Sequence, residues 1–89
     1  MKVVFSSDKV FEDFSSWAMT DKKVFKKIID LVKDIKRNPT NGIGRPEPLR
    51  YDLSGYWARQ ISGEHRLVYR IIEDADELVI ISCKTHYDF

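Results

Sequence analysis

Three side chains of complementary acid–base character stand out in this 89-residue chain: Glu47, Arg66 and His86. A carboxylate can take a proton from a hydroxyl, an imidazole can return one to a leaving oxygen, and a guanidinium stays charged and matches the oxygens of a phosphate. Those are the parts needed to cleave RNA without a metal. The ribose 2′-hydroxyl loses a proton and attacks the adjacent phosphate, negative charge builds on the phosphorane, and the departing 5′-oxygen is protonated, leaving a 2′,3′-cyclic phosphate. In that scheme Glu47 is the base, Arg66 the stabiliser and His86 the acid. Residue type alone leaves alternatives open. His65 is the other histidine, Arg59 and Arg70 read equally as ordinary surface charges, and Tyr87 either packs at the terminus or stacks on a base.

The elements that must position these groups follow from alternation and from turn chemistry. If Glu64 to Ile72 is extended, His65, Leu67, Tyr69 and Ile71 share one face, and Arg66, Val68, Arg70 and Ile72 the other. The first set is a core; the second presents guanidinium groups on an open face suited to an anion. The stretch from Thr40 to Tyr51 holds two glycines and two prolines, so it forms no regular element. Pro46 and Pro48 fix φ on both sides of Glu47 and reduce the entropy lost in holding its carboxylate in place. His86 follows a strand spanning Glu77 to Lys84, where its base is rigid and its tip exposed.

The remaining pattern supplies the frame. Lys2 to Phe5 is β-prone, and Ser6-Ser7-Asp8 offers cap oxygens to a helix from about Asp8 to Met19, with Val10, Phe11, Phe14, Trp17 and Ala18 on one face. Trp17 is expected as a core anchor. Thr20-Asp21 caps a second helix carrying Val24, Phe25, Ile28, Leu31, Val32 and Ile35 inward, and Asn38-Pro39 ends it. Its lysine-rich outer side reads first as a solvated surface. Tyr56 to Ile61 is a strand, joined through Ser62-Gly63-Glu64 to the next in an antiparallel hairpin. The expected fold is α+β: two N-terminal helices on one face of a twisted antiparallel sheet, in the order β-α-α-β-β-β, with room for an extra short strand near 49–53.

Composition fits one small globular domain spanning 1–89, with 43% hydrophobic and 33% charged residues. No apolar run approaches the ~20 residues of a membrane helix, and no signal-peptide pattern opens the chain, so a cytoplasmic protein is expected. The lone Cys83 cannot form an intramolecular disulfide and suggests no zinc site; no metal or cofactor is expected. The net charge of +1 hides an uneven distribution, since residues 22–70 hold 12 Lys/Arg against 5 Asp/Glu while both flanks are acidic. A basic middle suits a polyanion or an acidic partner segment.

Four segments in order carry a resemblance: Gly44-Arg45-Pro46-Glu47-Pro48-Leu49, Leu53-Ser54-Gly55-Tyr56-Trp57-Ala58-Arg59, Glu64-His65-Arg66-Leu67-Val68-Tyr69, and His86-Tyr87. Together they resemble the YoeB (Txe/YoeB) toxins of the RelE/ParE superfamily, from bacterial type II toxin–antitoxin systems, over essentially the whole chain. The resemblance implies a microbial ribonuclease-like fold and an mRNA interferase that cuts mRNA in the ribosomal A site. It assigns catalytic roles to Glu47, Arg66, His86 and Tyr87, makes Arg59 a phosphate contact, and brings Arg45 and Arg50 to the RNA. It also implies a bacterial cytoplasmic setting, neutralisation by a YefM-like antitoxin through an acidic C-terminal segment, and a homodimer as one assembly. Two departures are Gln60, where the family often has a second basic residue, and Asp88-Phe89 beyond the usual terminal tyrosine. Asp88 is expected to raise the pKa of His86. Two noncatalytic readings compete: a gyrase poison of the same fold and an RNA-binding module, neither of which gives Glu47 a purpose.

Overall fold

The structure, a computed structural model, describes residues 1–84. The chain runs through β1 (Lys2–Phe5), α1 (Asp8–Thr20), α2 (Lys22–Arg37), β2 (Glu47–Pro48), β3 (Trp57–Gln60), β4 (Arg66–Ile72) and β5 (Glu77–Ser82), with a 3-10 turn at Tyr51–Leu53. Both helices begin where a side-chain oxygen meets otherwise unpaired amides. Ser7 accepts from Val10 N–H, and Asp21 accepts from Lys23 and Val24 N–H. Asn38 caps the end of α2, in line with the helix-breaking effect of Pro39 on the residue before it.

The strands form one sheet in the order β1-β5-β4-β3-β2. Three of its pairings are antiparallel, as expected, but β1 runs parallel to β5, so the sheet is mixed. The reason is connective: the two helices carry the chain away after β1, and the meander returns to β1 only with its last strand, arriving in the same direction. The short additional strand lies at Glu47–Pro48 rather than near 49–53, where Tyr51–Leu53 turns instead. A proline is tolerated there because β2 is an edge.

The core lies between the helices and one face of the sheet. Ile28, Leu31 and Ile35 from α2 meet Leu67 and Tyr69 from β4 and Leu78 and Ile80 from β5, all essentially inaccessible. Trp17 anchors the end of α1 by donating Nε1–H to the Cys83 carbonyl at 3.0 Å and setting its ring edge-on to His65 at 4.8 Å. A β-bulge interrupts β5: Tyr69 faces Ile80, but Val68 faces Ser82, so Ile81 is the additional residue. The slip turns Cys83 inward, where it is buried. Burial pushes its thiol up to about 12.

Candidate functional site

Register settles which side chains share the face away from the helices. Glu47 stands opposite Ala58, Ala58 opposite Val68, and Val68 opposite Ser82. Two residues along in one direction Gln60 pairs with Arg66; in the other, Tyr56 meets Arg70, whose guanidinium lies 5.3 Å from the Tyr56 ring centre. Side chains two apart on a strand point the same way, so Glu47, Arg66, Tyr56 and Arg70 project from one face. Its floor between the two arginines is Ala58 and Val68, both small and both buried. Backbone geometry sets Glu47 and Arg66 about 10 Å apart across two strand spacings and about 7 Å along the strand. A phosphodiester held between the two, at the level of Val68, is within reach of both side chains.

Each of the two is held from behind. Arg66 donates from Nη1 to the carbonyls of Ser62 at 2.8 Å and His65 at 3.1 Å, in the turn that begins its own strand. Among the described residues its Nε and Nη2 bond nothing, which leaves donors for a phosphate. Glu47 is exposed and fixed through its backbone. Gln60 N–H donates to the Gly44 carbonyl at 2.6 Å and Leu49 N–H to the Tyr56 carbonyl at 2.9 Å, clamping both sides of β2. On either flank a non-glycine residue adopts left-handed backbone, Arg45 with φ 52° and Tyr51 with φ 57°. Such conformations persist where surrounding structure holds them, and they cluster at binding and catalytic sites.

Arg59 overturns an expectation. Instead of lining the face away from the helices as a phosphate contact, it points toward the C-terminal end of α2 and the loop after it, with 0% of its surface exposed. Its five donor positions are all used: Nε to the Tyr69 hydroxyl (3.1 Å), Nη1 to Asp34 Oδ2 (2.6 Å) and the Ile43 carbonyl (3.1 Å), and Nη2 to the carbonyls of Asn38 (2.6 Å) and Asn41 (2.8 Å). The Tyr69 hydroxyl in turn donates to the Pro39 carbonyl at 2.6 Å, and Asp34 accepts from Ile43 N–H at 3.0 Å. The Arg59 hydrogen bond, aided by that amide, holds the Asp34 carboxyl below its ordinary range. Burial raises the Tyr69 phenol above its own, against the opposing pull of Arg59. The guanidinium therefore knits the loop between α2 and β2 to the helix and the sheet.

Glycine is required twice in that loop. A Cβ on Gly42, whose φ is 120°, would collide with the Asp34 carboxylate, and one on Gly44, whose φ is 80°, would come within 2.7 Å of Leu31 Cδ2. Sequence reading missed the roles of Asp34 and of the Tyr69 hydroxyl. The available signal was parity: Arg59 alternates with Ala58 and Gln60 and therefore shares the covered face with Trp57 and Ile61.

The other expected site residues divide simply. Arg45 and Arg50 are exposed on the segments before and after Glu47. His86, Tyr87 and the neighbouring Asp88 lie outside the described residues. Among the described residues no cluster of His, Cys, Asp and Glu could hold a metal, and no helix is long and apolar enough to cross a membrane. An apolar cavity of about 230 Å³ sits between β1 and the helices, lined by Val3, Phe5, Phe14, Ile28, Val32 and Ile80. It offers no group that recognises a phosphate, and the polar chemistry is on the opposite face.

Comparison with known proteins places the chain in a family and matches its fold. Residues 5–87 match the family model of the YoeB-like toxin of bacterial type II toxin–antitoxin systems. Toxin YoeB of Escherichia coli (strain K12) is 46% identical over 87 residues, covering 98% of this chain and all of that protein. A YoeB/ParE toxin from Agrobacterium tumefaciens superposes with a TM-score of 0.92 at 42% identity, over 98% of this chain and all of that one. The toxin from Staphylococcus aureus has been solved as a YoeB–YefM complex (TM-score 0.87, 43% identity) and as a YoeB dimer (TM-score 0.88, 44% identity), each covering 98% of both chains.

Proposed function

Because this chain belongs to the YoeB-like toxins of bacterial type II toxin–antitoxin systems, we propose that it is a ribosome-dependent endoribonuclease that cuts mRNA in the ribosomal A site and so stops translation. The observation that carries the proposal is the placement of Glu47 and Arg66 on one face of the sheet, the one away from the helices, either side of the small buried pair Ala58 and Val68. Glu47 takes the proton from the 2′-hydroxyl as that oxygen attacks the neighbouring phosphate. The Arg66 fork, tethered by one nitrogen, neutralises the charge that grows on the phosphorane oxygens. His86 gives a proton to the departing 5′-oxygen, and Tyr87 stacks on or hydrogen-bonds the bound RNA. A 2′,3′-cyclic phosphate and a 5′-hydroxyl result, with no metal in the reaction.

The exposed Arg45 and Arg50 bracket Glu47 and attract the RNA backbone. The same basic surface suits a YefM-like antitoxin with an acidic segment, by analogy with the Staphylococcus aureus complex. The toxin acts in the cytoplasm, where ribosomes are, and forms a homodimer when free.

The deciding experiment is primer extension on a defined mRNA in a purified translation system, with Glu47→Gln and His86→Gln in parallel and with ribosomes omitted as a control. Cuts that require ribosomes, map to the A site and disappear in both variants are the expected result. A parent protein that binds ribosomes and leaves the mRNA intact would overturn the catalytic reading, and gyrase would become the next target to assay.

A further inference from the structure

Arg70 is the one arginine of β4 to which the chemistry above gives no work. It is exposed, it lies on the face away from the helices two residues beyond Val68, and its guanidinium sits over the Tyr56 ring, 5.3 Å from its centre. Among the described residues no carboxylate pairs with it. Arg66 occupies the mirror position, two residues to the other side of Val68. The pair thus brackets the Ala58–Val68 floor, each about 7 Å from it along the strand. That step is comparable to the spacing of successive phosphates along an extended single strand.

Stacking does more than fix a rotamer. A planar guanidinium resting on an aromatic ring keeps its edge donors directed outward, and it loses little further freedom when it meets an anion. Unpaired charge on a face that already carries an acid–base group is expensive to leave idle, since it repels the other arginines there. We propose that Arg70, oriented by Tyr56, forms a second phosphate subsite that holds the linkage next to the scissile one, so that the RNA strand lies along β4 with the reacting phosphate at the level of Val68, one step from Arg70 and within reach of the Arg66 side chain from the other side. This rests on the ribonuclease reading above. An acidic peptide is the other anion that could meet Arg70; the shared row spacing with Glu47 and Arg66 favours the RNA backbone.

The test uses the full chain on programmed ribosomes, comparing the parent with Arg70→Gln and Tyr56→Leu, neither of which alters the core. For Arg70→Gln we expect KM to rise about tenfold with kcat within about twofold, as for a lost charge-assisted contact made equally in ground and transition states. The slope of log affinity against log salt should shrink by about 0.7, the value for one phosphate of a single strand. Tyr56→Leu keeps the charge and should raise KM without changing that slope. Messages carrying an uncharged methylphosphonate immediately 5′ or immediately 3′ of the cleaved linkage identify the ligand: at one of the two positions the parent should fall to the level of Arg70→Gln, which itself should not respond.

Equal KM and equal salt slope for parent and Arg70→Gln would overturn the subsite. So would an Arg70→Gln defect that neither neutral linkage abolishes, or one confined to antitoxin binding. Binding to the same ribosomes is read in parallel with Glu47→Gln as the background. A parent that binds without cutting therefore refutes the ribonuclease reading, while the binding data still decide the role of Arg70.

Discussion

Replacing Arg59 by Met keeps most of the aliphatic stem and deletes the guanidinium. Five acceptors then lose their donor together: the carbonyls of Asn38, Asn41 and Ile43, the Tyr69 hydroxyl and the Asp34 carboxylate. Removing one partner of a buried, hydrogen-bonded ion pair costs about 3–5 kcal/mol, and Arg59 with 0% exposure is fully in that regime. An 89-residue domain has roughly 5–13 kcal/mol in total, so the loss is a large share of it. With a urea m-value of about 1.5 kcal/mol/M, the unfolding midpoint should fall by about 2–3 M. Arg59→Lys should recover only part of this, because three donors on one nitrogen cannot serve acceptors arranged around a planar fork. Hydrogen exchange adds a local readout: the Ile43 amide, bonded to Asp34, should lose protection more than amides of α1. A midpoint shift below about 0.5 M would refute the argument, since it would mean that the loop holds its place without the guanidinium.

Other outcomes follow from the same structure. Asp34→Asn should flatten the acid limb of the stability curve. A carboxyl held below its ordinary 3.8 contributes stability that is present above that value and is lost as pH falls through the folded pKa, which a pH series of thermal melts would show. Cys83, with its thiol pushed up to about 12, should resist a thiol reagent at pH 8 in the folded protein and react at once in urea. Because the unfolded thiol ionises near 9.0 while the folded one keeps its proton, stability should decline as pH rises past 9.0, and Cys83→Ala should remove that part of the decline. Gly44→Ala should destabilise by about 1–3 kcal/mol, through left-handed backbone and the approach of its methyl to Leu31, as measured by the same urea titration.

How much of this was legible depended on the range of the interaction. Alternation in β4 placed Leu67 and Tyr69 in the core and Arg66 and Arg70 outside, because strand parity is a local property that the backbone cannot evade. The caps at Ser7 and Asp21 and the stop at Asn38-Pro39 were equally local. The parallel pairing of β1 with β5 joins residues more than 70 positions apart, and nothing near Lys2 announces its neighbour Glu77. The bulge at Ile81 was hidden for a related reason, since an unbroken β-prone run looks the same with or without one residue out of step. Arg59 misled through its type. Arginine is rarely buried, and only the acceptors converging from Asp34, Asn38, Asn41, Ile43 and Tyr69 make its burial tolerable. The prolines flanking Glu47 pointed to a held segment rather than a floppy one, and backbone hydrogen bonds at Gly44 and Leu49 do hold β2 on both sides.

The placement of β5 between β1 and β4 bears on how the protein is made. A chain emerging from the ribosome presents β1, both helices and the β3–β4 hairpin well before Glu77–Ser82, yet β1 has no neighbour in the sheet until that segment arrives. Long-range pairing of this kind is slow and comes late, after the entropy of closing a long loop has been met. Closure of the sheet is therefore the last step: a nascent chain short of β5 already holds the residues that pack α2 on the β3–β4 hairpin, but β1 has nothing to pair with. The first strand of the chain therefore waits for the last one before it has a place in the sheet.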